Sequence, residues 1–194
     1  MNIGMSTGMN IGKSIGMTRK LLLAPALLLA LATAGCGGRS DKDDTAAAYC
    51  PQAMMVQDAS RITRFKPGPG RDPRDVVFEA ALTASGTACT LRSNQMDIDL
   101  VLRIAVTAGP SVAGAATGVP YFVRVVDARG QVVQGQDFMA DFKLSSANPR
   151  GTSQEELTLR LPFQTVTDVA AFRIAIGLKP SADELQFNRR ASVR

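Results

Sequence analysis

The chain of 194 residues contains no histidine and no tryptophan, and it has only two tyrosines and three cysteines. Without histidine there is no Ser-His-Asp or Cys-His nucleophilic site, and the usual zinc, copper and iron sites lose their imidazole ligands. The phosphate-binding P-loop, the dinucleotide-binding glycine motif and the EF-hand loop are also absent from the sequence. We therefore expect no cofactor, no metal site, no catalytic residues and no enzymatic activity.

Basic charge is concentrated at the start of the chain. The whole sequence has a formal net charge of +5, but residues 1–35 hold three of its 22 lysines and arginines and no acidic residue. The other 159 residues carry 19 basic and 17 acidic side chains, a net charge of +2. No stripe of basic residues with interleaved aromatics occurs, so the sequence predicts no nucleic-acid partner.

Residues 1–35 have the three parts of a secretory signal peptide. Arg19 and Lys20 precede an apolar run of twelve residues (21–32, LLLAPALLLALA), and small residues follow it. As a helix, that run is roughly 18 Å long, too short for a hydrocarbon core of ~30 Å. We expect a signal peptide, with translation starting at Met17; a long, tolerated amino-terminal region is the alternative.

The small residues end in TAGC (33–36), which resembles the lipobox of bacterial lipoproteins. In that family the cysteine is lipidated and becomes the first mature residue. The resemblance implies that Cys36 carries a diacylglycerol anchor. It departs from the family in having Thr33 where leucine is preferred. The alternatives are an ordinary secretory signal cleaved nearby and an uncleaved anchor.

A lipidated Cys36 divides the rest of the chain into a tether and a domain. Residues 36–48 are glycine, serine, alanine and charge, which predicts a flexible tether with a reach of about 40 Å. Residues 49–194 are long enough for one domain with its own core. Cys50 and Cys89 are then an even pair in an exported protein, which predicts a disulfide; two buried thiols are the alternative.

Alternating apolar residues predict strands in the domain. From Met96 to Val106 every second residue is apolar, and Phe172 to Leu178 repeats the pattern. Two β-branched runs around Asp127-Ala128-Arg129-Gly130 predict a hairpin over residues 121–138. About eight short strands between Gly/Pro loops predict an all-β fold, an antiparallel β-sandwich of immunoglobulin-like or fibronectin-III-like type. A small β-barrel is the alternative.

Four groups of charged residues are candidate sites. Asp97 and Asp99 share a strand face and are candidates for a cation or acid–base pair, or for a solvated face. Glu155 and Glu156 are interpreted as opening a strand and protecting its edge. The loop 66–75 and the basic end 187–194 are candidates for contact with anionic surfaces. In the loop the cations concerned are Lys66, Arg71 and Arg74, and an ordinary connector is the alternative.

Several segments together resemble small envelope lipoproteins of alphaproteobacteria. They are the lipobox, residues 49–68 (YCPQAMMVQDASRITRFKPG), VVFEA, ACTL and YFVRVVDARG, and the likeness runs from Tyr49 to about Arg190. That group has no known catalytic residues. No functional residue is therefore carried over from it. We expect a lipid-anchored, periplasm-facing binding or scaffold module whose partners are the membrane and envelope proteins, with no indication of oligomeric state.

The residue after the anchored cysteine sorts bacterial lipoproteins between membranes. Gly37 occupies that place, and no aspartate is there to indicate retention in the inner membrane, so we expect the periplasmic face of the outer membrane. The alternatives are the inner membrane and the soluble periplasm. An accessory subunit of an outer-membrane assembly complex, and a hydrolase or ligand carrier, are the alternative functions.

Overall fold

Eight strands and three helices make up the part of the chain that the computed structural model describes, which is residues 41–69, 71–114 and 116–191. Cys36 and the predicted signal peptide lie outside these residues. Two 3₁₀ turns, at Gln57–Ala59 and Pro73–Asp75, complete the elements. In chain order the helices and strands are α1 (Asp41–Tyr49), β1 (Ala53–Met55), β2 (Arg61–Phe65), β3 (Val76–Leu91), β4 (Gln95–Ala108), β5 (Ala116–Val126), β6 (Val132–Lys143), β7 (Arg150–Pro162), α2 (Val166–Val169), β8 (Arg173–Leu178) and α3 (Ala182–Ala191).

The strands form two sheets of four. The first sheet has the order β1-β8-β5-β6 and the second β2-β3-β4-β7. Every neighbouring pair is antiparallel except β1 and β8, which are parallel. The predicted β-sandwich is thus confirmed, and the barrel alternative is wrong because the sheets stay separate.

The pairing order follows the immunoglobulin pattern for most of the chain. The strands β3, β4 and β7 take the places of A, B and E in one sheet, while β5 and β8 take those of C and F in the other. The place of strand G is taken by β1, which comes from the start of the domain and is parallel to its neighbour.

The core lies between the sheets, where the predicted alternation places it. The inward-facing apolar side chains of β4 are at most 2% exposed, and those of β8 are fully buried. Each such side chain contributes roughly 1.5–3 kcal/mol by leaving water. The residues concerned are Met96, Ile98, Leu100, Leu102, Ile104 and Val106 in β4, and Ile174, Ile176 and Leu178 in β8.

The predicted hairpin between β5 and β6 is confirmed. The carboxylate of Asp127 accepts hydrogen bonds from the backbone N–H of Arg129 and of Gln131, both at 2.9 Å. Gly130 has a φ of +78°, a conformation that glycine adopts without the steric cost of a Cβ. The turn therefore sets the pairing of β6 with β5.

The predicted tether is wrong over most of its length. Residues 41–48 belong to α1, and Ala46 in that helix is fully buried in the core. The acidic residues Asp41, Asp43 and Asp44 fall in the first turn of α1. Their negative charge stabilises the helix by attraction to the partial positive charge at its amino-terminal end. The polar composition of residues 41–48 predicts a solvated segment, but the helix packs against β3 with Ala46 buried.

The carboxyl-terminal helix α3 covers ten residues and begins with a capping arrangement. Ser181 and Glu184 form a reciprocal cap at its start: the Glu184 N–H donates to the Ser181 hydroxyl, and the Ser181 N–H donates to the Glu184 carboxylate. Glu184 is only 5% exposed, and its other oxygen accepts a hydrogen bond from Arg64 of β2. This pair holds α3 against β2.

Candidate functional site

Cys50 and Cys89 form the predicted disulfide. Their sulfurs are 2.07 Å apart and their Cα atoms 5.7 Å apart, within the usual range for a bridge. Cys50 directly follows α1, and Cys89 lies near the end of β3. The bond therefore fastens the start of the domain to its second sheet.

A cavity with a volume of about 520 Å³ lies beside this disulfide. Its polar groups do not form a nucleophile with a base, because the Thr87 hydroxyl already donates to the Pro51 carbonyl at 3.2 Å. The wall combines small apolar groups with a single carboxylate. Lining the cavity are Asp43, Ala47, Cys50, Gln52, Thr87, Ala88 and Cys89.

The cations of the loop 66–75 are each paired with a carboxylate. Lys66 is 3.0 Å from Asp75, and Arg71 is 2.8 Å from Asp183 of α3. Arg74 binds Asp72, whose carboxylate also caps the 3₁₀ turn by accepting from the Arg74 N–H. The hydrogen bonds from Arg74 lower the pKa of Asp72.

This pairing favours a structural role for the loop. A cavity of about 350 Å³ beside it is lined by acids as well as bases, so its charge is mixed. Contact of Lys66, Arg71 and Arg74 with an anionic surface stays a prediction, and it would have to compete with three ion pairs. The charged residues lining the cavity are Arg64, Lys66, Arg71, Asp183 and Glu184.

Asp97 and Asp99 lie on the solvent side of the second sheet. Asp97 accepts hydrogen bonds from Gln95 and Arg92, which lower its pKa in that order of importance. Asp99 accepts one from Thr158 of β7 at 2.9 Å. The described residues include no group of three or more acidic, cysteine or histidine side chains placed to hold a metal ion. The arrangement fits the solvated face.

The two glutamates do not open a strand as predicted. They lie in the middle of β7, which begins at Arg150, and their side chains go to opposite faces. Glu156 is exposed, whereas Glu155 is half-buried on the inner face and accepts hydrogen bonds from Ser153 and from Tyr121. Both glutamates lie on an edge strand, as predicted, but only Glu156 is exposed there and Glu155 points inward.

Tyr121 is the polar residue that sequence reasoning missed. It is 2% exposed, its ring stacks on Phe138 at 5.1 Å between centroids, and its hydroxyl donates to Glu155. Burial, followed by the nearby Glu155 charge, raises the pKa of Tyr121. The alternation in β7 does indicate this position, because Glu155 is two residues before Leu157 and so lies on the same face as the apolar residues of the strand.

A second polar cluster lies on the outer face of the first sheet. Asp137 of β6 binds both Arg124 of β5 and Lys179, which follows β8. Hydrogen bonds from Lys179 and then from Arg124 lower the pKa of Asp137. The Arg124 guanidinium also lies 5.3 Å from the ring centre of Phe122. This cluster joins the three strands across the sheet.

The basic carboxyl end is partly engaged with the domain. Arg189 binds Asp58 of the first 3₁₀ turn at 3.0 Å, and Arg190 lies 3.4 Å from the side chain of Gln186. Residues 192–194 lie outside the described part of the chain. The predicted contact of this end with anionic surfaces stays a prediction.

Comparison with known proteins gives no relative from which a role is carried over: no family model matches the chain, and no curated protein does. The likeness to alphaproteobacterial envelope lipoproteins is untested by these comparisons. Within the described residues, none of the helices has the length and apolar character needed to cross a bilayer.

Proposed function

We propose that this protein is a lipid-anchored, periplasm-facing binding or scaffold module of the bacterial envelope, without catalytic activity. The observation that carries the proposal is the order of Arg19 and Lys20, the apolar run 21–32 and the lipobox-like TAGC ending at Cys36. This order is that of a secretory signal, and the cysteine at its end selects the lipoprotein class.

The Cys50–Cys89 disulfide supports an exported location. Disulfides persist in oxidising compartments such as the bacterial periplasm and are rare in the cytosol. The bridge also leaves Cys36 as the one cysteine of the chain not committed to it. A cysteine at the end of a signal sequence is then assigned to lipid.

Helix α1 makes the proposed anchor short. Asp41 follows Cys36 by five residues, which span at most ~18 Å when fully extended. Because α1 is fastened to the domain by buried Ala46 and by the disulfide after it, the domain stays close to the lipid surface. A module held this way meets partners that are themselves at the membrane.

A non-catalytic role is supported by how the polar groups are used. Among the described residues, every buried side-chain nitrogen or oxygen has a hydrogen-bond partner. The main carboxylates of the candidate sites are held by arginine, lysine or capping contacts. These contacts fasten elements to one another, which is what a scaffold requires.

Replacing the proposed lipidation site tests the anchor. We expect the full chain with Cys36→Ser to move from the membrane fraction to the soluble periplasm and to lose label from a fatty-acid precursor. Ser40→Ala, four residues later, is the matched control and keeps both properties. Membrane retention of an unlabelled Cys36→Ser protein contradicts the anchor.

The sorting proposal needs a separate pair of variants. We expect Gly37→Asp to shift the protein from the outer to the inner membrane, whereas Gly38→Asp, one residue later, leaves it in place. Separation of the two membranes on a density gradient measures the distribution. An unchanged distribution for Gly37→Asp contradicts the outer-membrane assignment while leaving the anchor intact.

A further inference from the structure

The four sheet edges of the described chain are protected to very different extents. The edge strand β1 has only three residues, and β2 is covered by α3, with Asn188 donating to the Arg61 carbonyl at 2.8 Å. The strand β7 carries Arg150, Glu156 and Arg160 along its exposed side. Short length, a covering helix and charge are the usual protections of a sheet edge.

The remaining edge, β6, lacks most of these protections. Its first six residues, 132–137, are exposed on both faces, and they include no lysine, arginine or proline. Val132 is 59%, Val133 53% and Met139 56% exposed, the three highest values among the large apolar residues of the described chain. The one charge in this stretch, Asp137, is held by Arg124 and Lys179. A bulge at the start of the strand is its only local irregularity.

The ladder with β5 shows which backbone groups of β6 point outward. The Pro120 carbonyl accepts a hydrogen bond from the Lys179 N–H at 2.8 Å, so it faces away from β6. Met139, which is paired with Pro120, therefore directs its own N–H and C=O away from β5. By alternation, Gly135 and Asp137 do the same. These three residues present a row of hydrogen-bonding groups at the edge.

We propose that β6 is a self-association surface, at which two copies of this chain pair their β6 strands antiparallel with Gln136 opposite the partner's Gln136. The two first sheets then form one continuous sheet of eight strands. The inference is independent of the lipid anchor, since it uses only the sheet edge.

Charge and apolar matching select this register over its neighbours. With Gln136 at the two-fold axis, Gly135 stands opposite the partner's Asp137. Arg124 lies across Gly135, because a Cβ at that glycine would be 2.4 Å from the Arg124 Cδ. The partner's Asp137 thus enters beside a guanidinium, and opposite charges in cross-strand positions are favourable.

The same register places Met139 opposite the partner's Val133, twice by symmetry, so that the exposed apolar side chains cover one another. An axis at Asp137 would instead set two carboxylates opposite each other, which is unfavourable. An axis at Gly135 would set Val133 opposite a charge. A second copy is therefore the occupant that this strand matches.

Cysteine pairing tests the register directly. Residues opposite each other at a non-hydrogen-bonded position have Cα atoms about 4.5 Å apart, within the reach of a disulfide. We expect the full chain with Gln136→Cys, in intact cells treated with a mild oxidant, to give a disulfide-linked dimer on a non-reducing gel. The matched control is Gln134→Cys, which has the same residue type on the same face. Its Cα atoms would be roughly 14 Å apart, so it does not crosslink.

A second pair of variants separates pairing from chance collision. In the Gln136→Cys background, Met139→Lys removes the apolar match with the partner's Val133 and is expected to reduce the dimer band at least threefold. Met54→Lys alters an exposed methionine on the opposite edge of the same sheet and leaves the band unchanged.

Three results overturn the proposal: no dimer from Gln136→Cys, equal dimers from both cysteine positions, or a linked product whose mass shows a different protein at the edge. The wild-type chain is run alongside, because it shows any linkage that Cys36 contributes. The membrane fraction of the same samples reports on the anchor separately, so failure of one proposal is distinguishable from failure of the other.

Discussion

Tyr121 of the first sheet donates a hydrogen bond to Glu155 of the second, with 3.1 Å between the phenol oxygen and Oε2 of the carboxylate. Their strands, β5 and β7, belong to different sheets, so this bond crosses the space between the two sheets. Ser153 donates to the other carboxylate oxygen. A half-buried carboxylate is thereby satisfied from both sides.

Removing the Tyr121 hydroxyl tests how much this bond contributes. We expect Tyr121→Phe to lower the free energy of unfolding by about 2 kcal/mol. This is the usual cost of removing the donor of a hydrogen bond to a charged group. Denaturant unfolding measures it. Tyr49→Phe is the matched control, because no hydrogen bond of the Tyr49 hydroxyl occurs among the described residues, and it is expected to change little. Equal effects of both variants contradict the role of Glu155.

The same bond predicts a loss of stability at high pH. Tyr121 has its pKa raised in the folded state above the ordinary value of 10.0, so the folded protein holds this proton more tightly than the unfolded chain. The stabilisation is fully present below pH 10 and decreases as the pH rises above it, when only the unfolded tyrosine ionises. Unfolding curves between pH 9 and 11.5 should fall more steeply for the wild-type chain than for Tyr121→Phe. Parallel curves would contradict the raised pKa.

The disulfide is expected to stabilise the domain through its unfolded state. It joins residues 39 positions apart, which in the chain-entropy model corresponds to about 3 to 4 kcal/mol. Replacing both Cys50 and Cys89 with alanine should lower the unfolding free energy by that amount and make it insensitive to reductant. Hydrogen exchange in α1 should rise most, because Cys50 adjoins that helix. Unchanged exchange in α1 would show that buried Ala46 holds the helix without the bridge.

Ala46 provides a sharper test of whether α1 belongs to the domain. It is fully buried, so Ala46→Asp places an unpaired charge in the core and is expected to cost about 3 kcal/mol or more. Ala48→Asp makes the same change at an exposed position in the last turn of the helix, where lower helix propensity and the helix dipole are expected to cost only about 1 kcal/mol. Thermal unfolding compares the two. Equal melting temperatures of the two variants would show that residues 41–48 are a tether and not part of the folded domain.

The sheets were predictable from sequence because β4 and β8 alternate strictly. In β4 the polar partners, such as Asp97 and Arg103, alternate with residues that must be buried, so period two leaves one interpretation. The disulfide followed from the pair of cysteines that remains once Cys36 is assigned to lipid. These are local signals that need no knowledge of which strands become neighbours.

Other features depend on contacts across the fold and were missed. The segment before Tyr49 is polar in composition, and only the packing of Ala46 against β3 makes it a helix of the domain. The acidic pair Glu155-Glu156 suggests the start of a strand. The inward position of Glu155 depends on its hydrogen bond with Tyr121, which is 34 residues away in the sequence and therefore gives no local signal. The sequence suggests that Lys66 and Arg71 can bind an anionic surface, but in the fold Lys66 pairs with Asp75 and Arg71 pairs with Asp183 of α3.

The parallel pairing of β1 with β8 constrains the order in which the chain can fold. Ala53 is paired with Ile174, so β1, the first strand of the domain to be synthesised, cannot pair until β8, the last strand, has been synthesised. Contacts between residues this far apart in the sequence form late, since a large loop must close before they contribute. Until that moment β1 and the edge of β5 that pairs with β8 lack their neighbour. The first sheet is therefore complete only after β8 has been synthesised.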